Sequence, residues 1–234
     1  MFLSLPLLCA YSVFLLSFWR ARDDLHLSLP WDVAMIGGFG AFFFLLTLFT
    51  FTGRPLPFPF FDGKFFLSLH RWLTALFLGF LAFHIGAIVV TDPQILYDFW
   101  PSGTPGMQFG ALAAFLAMLT PGLAFRRVWR RLFATAGIFR ISHVILASAV
   151  LGGSVFHIVT TRVHVVLSWQ VWACVSVAAV ALVLPATERW LLARVTVRPG
   201  WRRRIHTRHL AGMLAGVIFC AATIETAAFL LWRR

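Results

Sequence analysis

The chain has 234 residues, of which 60% are hydrophobic and only 12% are charged. Soluble domains carry about 25% charged residues, and the mean hydropathy here is +0.86, so the composition excludes an ordinary soluble protein. It predicts an all-α polytopic membrane helical bundle. The net charge of +12 does not indicate nucleic-acid binding, because the arginines cluster in loops between apolar segments, where membrane topology accounts for them.

Seven apolar segments follow one another, each near the ~20 residues that cross a bilayer. They are 2–19, 33–53, 66–91, 107–125, 140–160, 167–186 and 209–231. The first lacks the basic start and the cleavage site of a signal peptide, so we expect a retained helix. Prolines and glycines in the second and third loops predict breaks in the chain there. We therefore expect one integral membrane domain over 1–234.

The distribution of Lys and Arg orients this bundle. The amino terminus and the second, fourth and sixth loops carry fourteen of these residues, and the opposite set carries five. Basic loops stay in the cytoplasm, so the amino terminus is expected inside and the carboxyl terminus outside. The third and fifth segments then run parallel, from the inner to the outer side.

Two pairs of histidines carry the strongest functional signal. His70 and His84 lie 14 residues apart in the third segment, and His143 and His157 repeat that spacing in the fifth. Fourteen residues of α-helix rise about 21 Å and turn through four turns less about 40°, so each pair lies on one helix face. With two nitrogen ligands per haem iron, four histidines predict two stacked b-type haems, or one if a single pair binds. The alternative is that the histidines join helices by hydrogen bonds.

Neighbouring residues extend this hypothesis. Phe77 lies midway between its two histidines, where it packs either between haems or as an ordinary apolar residue. Haem propionates need cationic partners, and the same arginines also fit a role in topology. The candidates are Arg71, Arg127 and Arg140 on the inner side and Arg162 on the outer side.

Glu225 is the one carboxylate deep inside an apolar segment. A carboxylate in the membrane is costly unless it is protonated, paired or facing water. Two roles are equally open for it, proton transfer near the outer haem and pairing with a polar group on a neighbouring helix.

Other potential metal ligands are weaker candidates. His26 and His164 fall in outer loops with nearby aspartates, where solvated loop residues are favoured over a metal or docking site. Cys9, Cys174 and Cys220 show no CxxC spacing and are expected to be small buried residues.

Three stretches resemble one known superfamily. They are LHRWLTALFLGFLAFH (69–84), RISHVILASAVLGGSVFH (140–157) and LTPGLAFRRVWRRL (119–132). Over about 35–185 the chain resembles the ferric reductase-like transmembrane domain, which includes NADPH oxidases, ferric reductases and the haem-bearing membrane subunit of the bacterial methionine sulfoxide reductase system. The resemblance implies a six-helix core. It also implies that His70 and His143 hold the inner haem and that His84 and His157 hold the outer haem.

These observations together predict an electron-transfer membrane component. The sequence has no GxGxxG loop for a flavin or nicotinamide nucleotide and has an extra apolar segment at 209–231. We therefore expect a separate donor, either a flavoprotein or a quinol, an acceptor on the outer face, and location in a bacterial inner membrane. The alternatives are a haem-free transporter or structural subunit of a larger complex, and a subunit with a single haem.

Overall fold

The computed structural model describes residues 11–13, 15–16, 28–52, 63–100, 102–133, 135–192 and 207–232. Within these ranges the chain is helical and contains no strand. The helices are α1 (Leu29–Thr52), α2 (Gly63–Thr91), a short 3-10 helix (Pro93–Phe99), α3 (Pro105–Leu123), α4 (Arg126–Leu132), α5 (Ala136–Thr161), α6 (Ser168–Leu192) and α7 (Thr207–Trp232).

Five of these helices are long and apolar enough to cross a membrane, namely α1, α2, α3, α5 and α7. In α6 the apolar stretch Ser168–Val183 is shorter. These five candidate spans confirm the predicted all-α, multi-pass membrane architecture in the described residues. The first predicted segment, 2–19, lies outside the described residues except for 11–13 and 15–16, which are helical.

Local sequence signals set several helix ends. The side chain of Asp92 caps the 3-10 helix, and Pro105 occupies the first turn of α3, where a missing backbone N–H costs nothing. The backbone N–H of Ile138 donates to Oγ1 of Thr135 at 3.2 Å, which starts α5. Arg162 ends α5 in the left-handed conformation, with φ of 53°. The chain break predicted between the third and fourth segments is therefore present as a capped turn.

The chain divides into two compact units, Met1–Ala87 with Ala179–Arg234 and Ile88–Ala178, and the boundaries fall within α2 and α6. In the first unit α1 is the central helix, because 78% of its most apolar window is buried inside the protein. Its aromatic residues contact two other segments. The ring centroid of Phe43 lies 5.0 Å from that of Tyr11, and the ring centroid of Phe44 lies 5.3 Å from that of Phe80 on α2. Phe80 in turn meets Phe219 of α7 at 6.2 Å.

In the second unit α3 packs against α5. Small residues allow this close approach: a methyl group placed on Gly153 of α5 would lie 3.0 Å from Cβ of Ala113 on α3. The rings of Phe109 and Phe156 pack at a tilt of 54° beside this contact, with centroids 4.6 Å apart. The pair α3–α5 is therefore the frame that holds the histidines of α5.

Candidate functional site

The first histidine pair lies on α2. His70 and His84 are both partly buried and belong to one uninterrupted helix, so about 21 Å of helix rise separates them. Nδ1 of His84 lies 2.8 Å from the carbonyl oxygen of Ala34 on α1. Between the two histidines, Thr74 donates its hydroxyl hydrogen to the carbonyl oxygen of His70 at 2.7 Å, a bond within the helix.

The second pair lies on α5 and has the same setting. His143 and His157 are partly buried in one uninterrupted helix. Nδ1 of His157 lies 2.9 Å from the carbonyl oxygen of Gly106 on α3. The ring of His143 lies 5.8 Å from that of Phe139, one turn earlier on the same helix.

These two hydrogen bonds determine which ring nitrogen carries the hydrogen in His84 and His157. A carbonyl oxygen can only accept, so Nδ1 must carry the hydrogen in both rings, which leaves the lone pair of the neutral imidazole on Nε2. Histidines that bind metals commonly donate their other ring N–H to a backbone carbonyl, because that bond orients the ring and makes the ligand more basic. In both side chains Nε2 is therefore the ring nitrogen through which a metal could bind.

The described residues contain no group of three or more His, Cys, Asp or Glu side chains that could hold a metal ion. A haem differs from a bare ion in this respect, because the porphyrin supplies four nitrogen ligands and the protein needs to supply only two. Two histidines therefore meet the number of protein ligands that a haem iron requires.

Phe77 and the glycines Gly152 and Gly153 lie between paired histidines. Phe77 is buried, with an exposed fraction of 7%, so it does not face lipid. Gly152 on α5 has no other atom within 4 Å of the place where a methyl group would stand, so the surface beside it is open. Gly153 instead packs against α3. Of the two glycines, only Gly152 leaves room for a flat ligand.

The candidate arginines are placed as follows. Arg71 and Arg140 are exposed, and Nε of Arg140 donates to the carbonyl oxygen of Ala136 in its own helix at 3.2 Å. Arg162 is exposed at the end of α5. The side chain of Arg127 lies outside the described residues. Exposed cations fit haem propionates and lipid headgroups equally, so both predictions remain for the three that are described.

Glu225 of α7 has a hydrogen-bond partner on another segment. The Ser12 hydroxyl donates to Oε1 of Glu225. The next residue, Thr226, lies 2.9 Å from the hydroxyl of Tyr11 through its Oγ1. Of the two roles expected for Glu225, pairing with a polar group on a neighbouring helix is the one with a contact in the structure.

Two weaker expectations were wrong. His164 is not a solvated loop residue: it is buried, with an exposed fraction of 2%, beside the equally buried Val165. Cys174 is buried as expected, but Cys220 is exposed on α7 and faces away from the protein interior. His26 and Cys9 lie outside the described residues.

The carbonyls of Ala34 and Gly106, which accept from the histidine rings, were not predicted from the sequence, and neither were the glycines beside those rings, Gly38 and Gly110. No side-chain chemistry marks a backbone carbonyl as a partner. The available signal was a small residue followed by glycine one turn later, in the segment preceding each histidine helix.

No protein-family model, no curated protein and no solved structure matches this chain. The relationship to the ferric reductase-like domain therefore rests on the residues quoted above and stays a prediction.

Proposed function

We propose that the chain is a transmembrane b-type cytochrome. It relays single electrons through two stacked bis-histidine haems, from a cytoplasmic flavoprotein or a membrane quinol to an acceptor on the outer face. In this proposal the chain has about seven membrane-spanning helices, and six of them form a core of the ferric reductase type. The protein lies in the cell inner membrane with its amino terminus in the cytoplasm.

The observation that carries the proposal is the shared setting of His84 and His157. Each donates Nδ1–H to a backbone carbonyl of a neighbouring helix, at 2.8 and 2.9 Å. These bonds also join the helices of each pair, and it is their repetition at both second histidines that favours the ligand role. In a ligand histidine such a bond fixes the ring and directs Nε2 to the metal.

The proposal assigns the four histidines to two levels across the membrane. His84 and His157 hold the outer haem and His70 and His143 the inner one, so the spacing within each helix sets a step of about 21 Å between levels. Phe77, which is buried, would lie between the two levels in this proposal and would help to exclude water there. When bound, each haem supplies a one-electron iron couple without an open ligand position.

The test is an optical spectrum of the purified protein, reduced minus oxidised, with haem quantified per chain. About two haems with low-spin b-type bands are expected for the wild type, and about one for His84→Ala, since each iron takes two histidines. His209→Ala is the matched control, because His209 is an exposed histidine at the start of α7, outside both pairs. Its haem content should equal that of the wild type.

Two other results would change the assignment. One haem per wild-type chain favours a single-haem subunit and removes the transmembrane relay. No haem, in protein produced with ample haem, refutes the cytochrome. It would favour the haem-free alternative, a transporter or structural subunit, for which the contact between Ser12 and Glu225 is the relevant polar feature.

A further inference from the structure

The helix pairs α1–α2 and α3–α5 present their second histidine in the same way. The acceptor carbonyl is Ala34 for His84 and Gly106 for His157, at sequence separations of 50 and 51 residues. A glycine follows each acceptor one helical turn later, Gly38 in α1 and Gly110 in α3. Residues four apart lie on one helix face, so each carbonyl and its glycine face the same ring.

Each glycine leaves space that the ring uses. A methyl group on Gly38 would lie 2.7 Å from Cε1 and 2.8 Å from Nδ1 of His84. A methyl group on Gly110 would lie 2.6 Å from Nδ1 and 2.8 Å from Cγ of His157. Carbon atoms prefer separations of about 3.5–4.0 Å, so any larger residue at either position forces the ring to move.

We propose that Gly38 and Gly110 are positioning residues for the imidazole ligands. Each lets a ring lie flat against the facing helix, with Nδ1–H on a carbonyl of that helix and Nε2 presented to iron. The identity of the ligand as haem iron rests on the proposed function, whereas the positioning of the ring does not.

Alanine at either position should act on the ring and leave the helix pair intact. The clashing atoms belong to the imidazole ring, which can shift by rotation about χ1 and χ2, so we expect the ring to move before the helices separate. The same rotation lengthens the bond from Nδ1 to the carbonyl. It therefore changes both the orientation of the ring and its strength as a ligand.

The experiment compares Gly38→Ala and Gly110→Ala with Gly216→Ala and Gly122→Ala. The last two are matched controls in α7 and α3, where no atom beyond the adjacent backbone of the same helix lies within 4 Å of the new methyl group. Electron paramagnetic resonance of the oxidised protein measures the largest g value of each low-spin haem, which depends on ligand ring orientation. Nitrogen-15 NMR of labelled histidine in the diamagnetic reduced protein reports which ring nitrogen carries hydrogen. Signals of His84 and His157 are assigned with single His→Gln variants.

We expect both test variants to keep the haem content of the controls. Both should also shift the largest g value of the same haem, one of the two low-spin haems. Gly38→Ala should also alter the Nδ1–H signal of His84, and Gly110→Ala that of His157. If both variants match the controls in both spectra, the positioning role is wrong, whatever haem is present. If the two variants move different low-spin signals, the positioning role stands and the assignment of both histidines to one haem is wrong. If the wild type binds no haem, the proposed function fails, and the nitrogen-15 spectra still decide the positioning role.

Discussion

The hydrogen bond between Tyr11 and Thr226 can be tested quantitatively. The two side-chain oxygens are 2.9 Å apart. Thr226 gives its only hydroxyl hydrogen to the carbonyl oxygen of Ala222 at 2.8 Å, so Tyr11 must be the donor. Tyr11→Phe removes the donor and Thr226→Val removes the acceptor, and both substitutions leave the side-chain shape nearly unchanged.

The expected energy follows from the burial of this bond. Side-chain hydrogen bonds inside membrane proteins contribute about 0.6 kcal/mol on average and at most about 1.7 kcal/mol in double-mutant cycles. Tyr11 is 1% exposed and the bond has good length. We therefore expect a coupling free energy of about 1 kcal/mol between the two substitutions, in the upper half of that range.

The assay is reversible unfolding in mixed detergent micelles, followed by circular dichroism, for both single variants and the double variant. A control cycle pairs Tyr11→Phe with Thr223→Val. Thr223 is exposed on the same helix and donates to the carbonyl oxygen of Phe219 at 2.9 Å, the same bond within the helix. Its coupling to Tyr11 should be zero within about 0.3 kcal/mol. A coupling between Tyr11 and Thr226 no larger than the control would refute the hydrogen bond.

Three further outcomes are expected. Glu225→Gln should have the same free energy of unfolding as the wild type, because the amide oxygen still accepts from Ser12. Glu225→Leu should lower the free energy of unfolding by about 1 kcal/mol or more in the same assay. Arg162→Gly should raise the free energy of unfolding by about 1 kcal/mol, since glycine adopts the left-handed conformation without strain; a loss of haem in this variant would instead favour the propionate role. His70→Ala and His143→Ala should remove the same haem signal, and loss of different signals would contradict their pairing.

Much of the fold could be predicted from the sequence, because helix formation in a membrane is local. The length of an apolar run decides whether a helix crosses the bilayer, so the predicted segment 209–231 coincides with the candidate span His209–Leu231. Proline ends helices for equally local reasons, which is why the break before Pro105 was expected. The 14-residue spacing also needed no tertiary information, because two residues in one helix have a fixed separation and a fixed relative direction.

Only the tertiary structure decided how the polar side chains are paired. Ala34 and His84 are 50 residues apart, and Ser12 and Glu225 are 213 residues apart. Which helices pack together, and in which register, sets such contacts, and periodicity within one segment contains neither fact. The same reason explains His164, which a loop position suggested to be solvated and which packing buries. The sequence by itself determined which helices form and which histidines share them; packing determined that the rings of His84 and His157 are held by carbonyls of neighbouring helices, because a backbone acceptor becomes available to a side chain only where two helices meet.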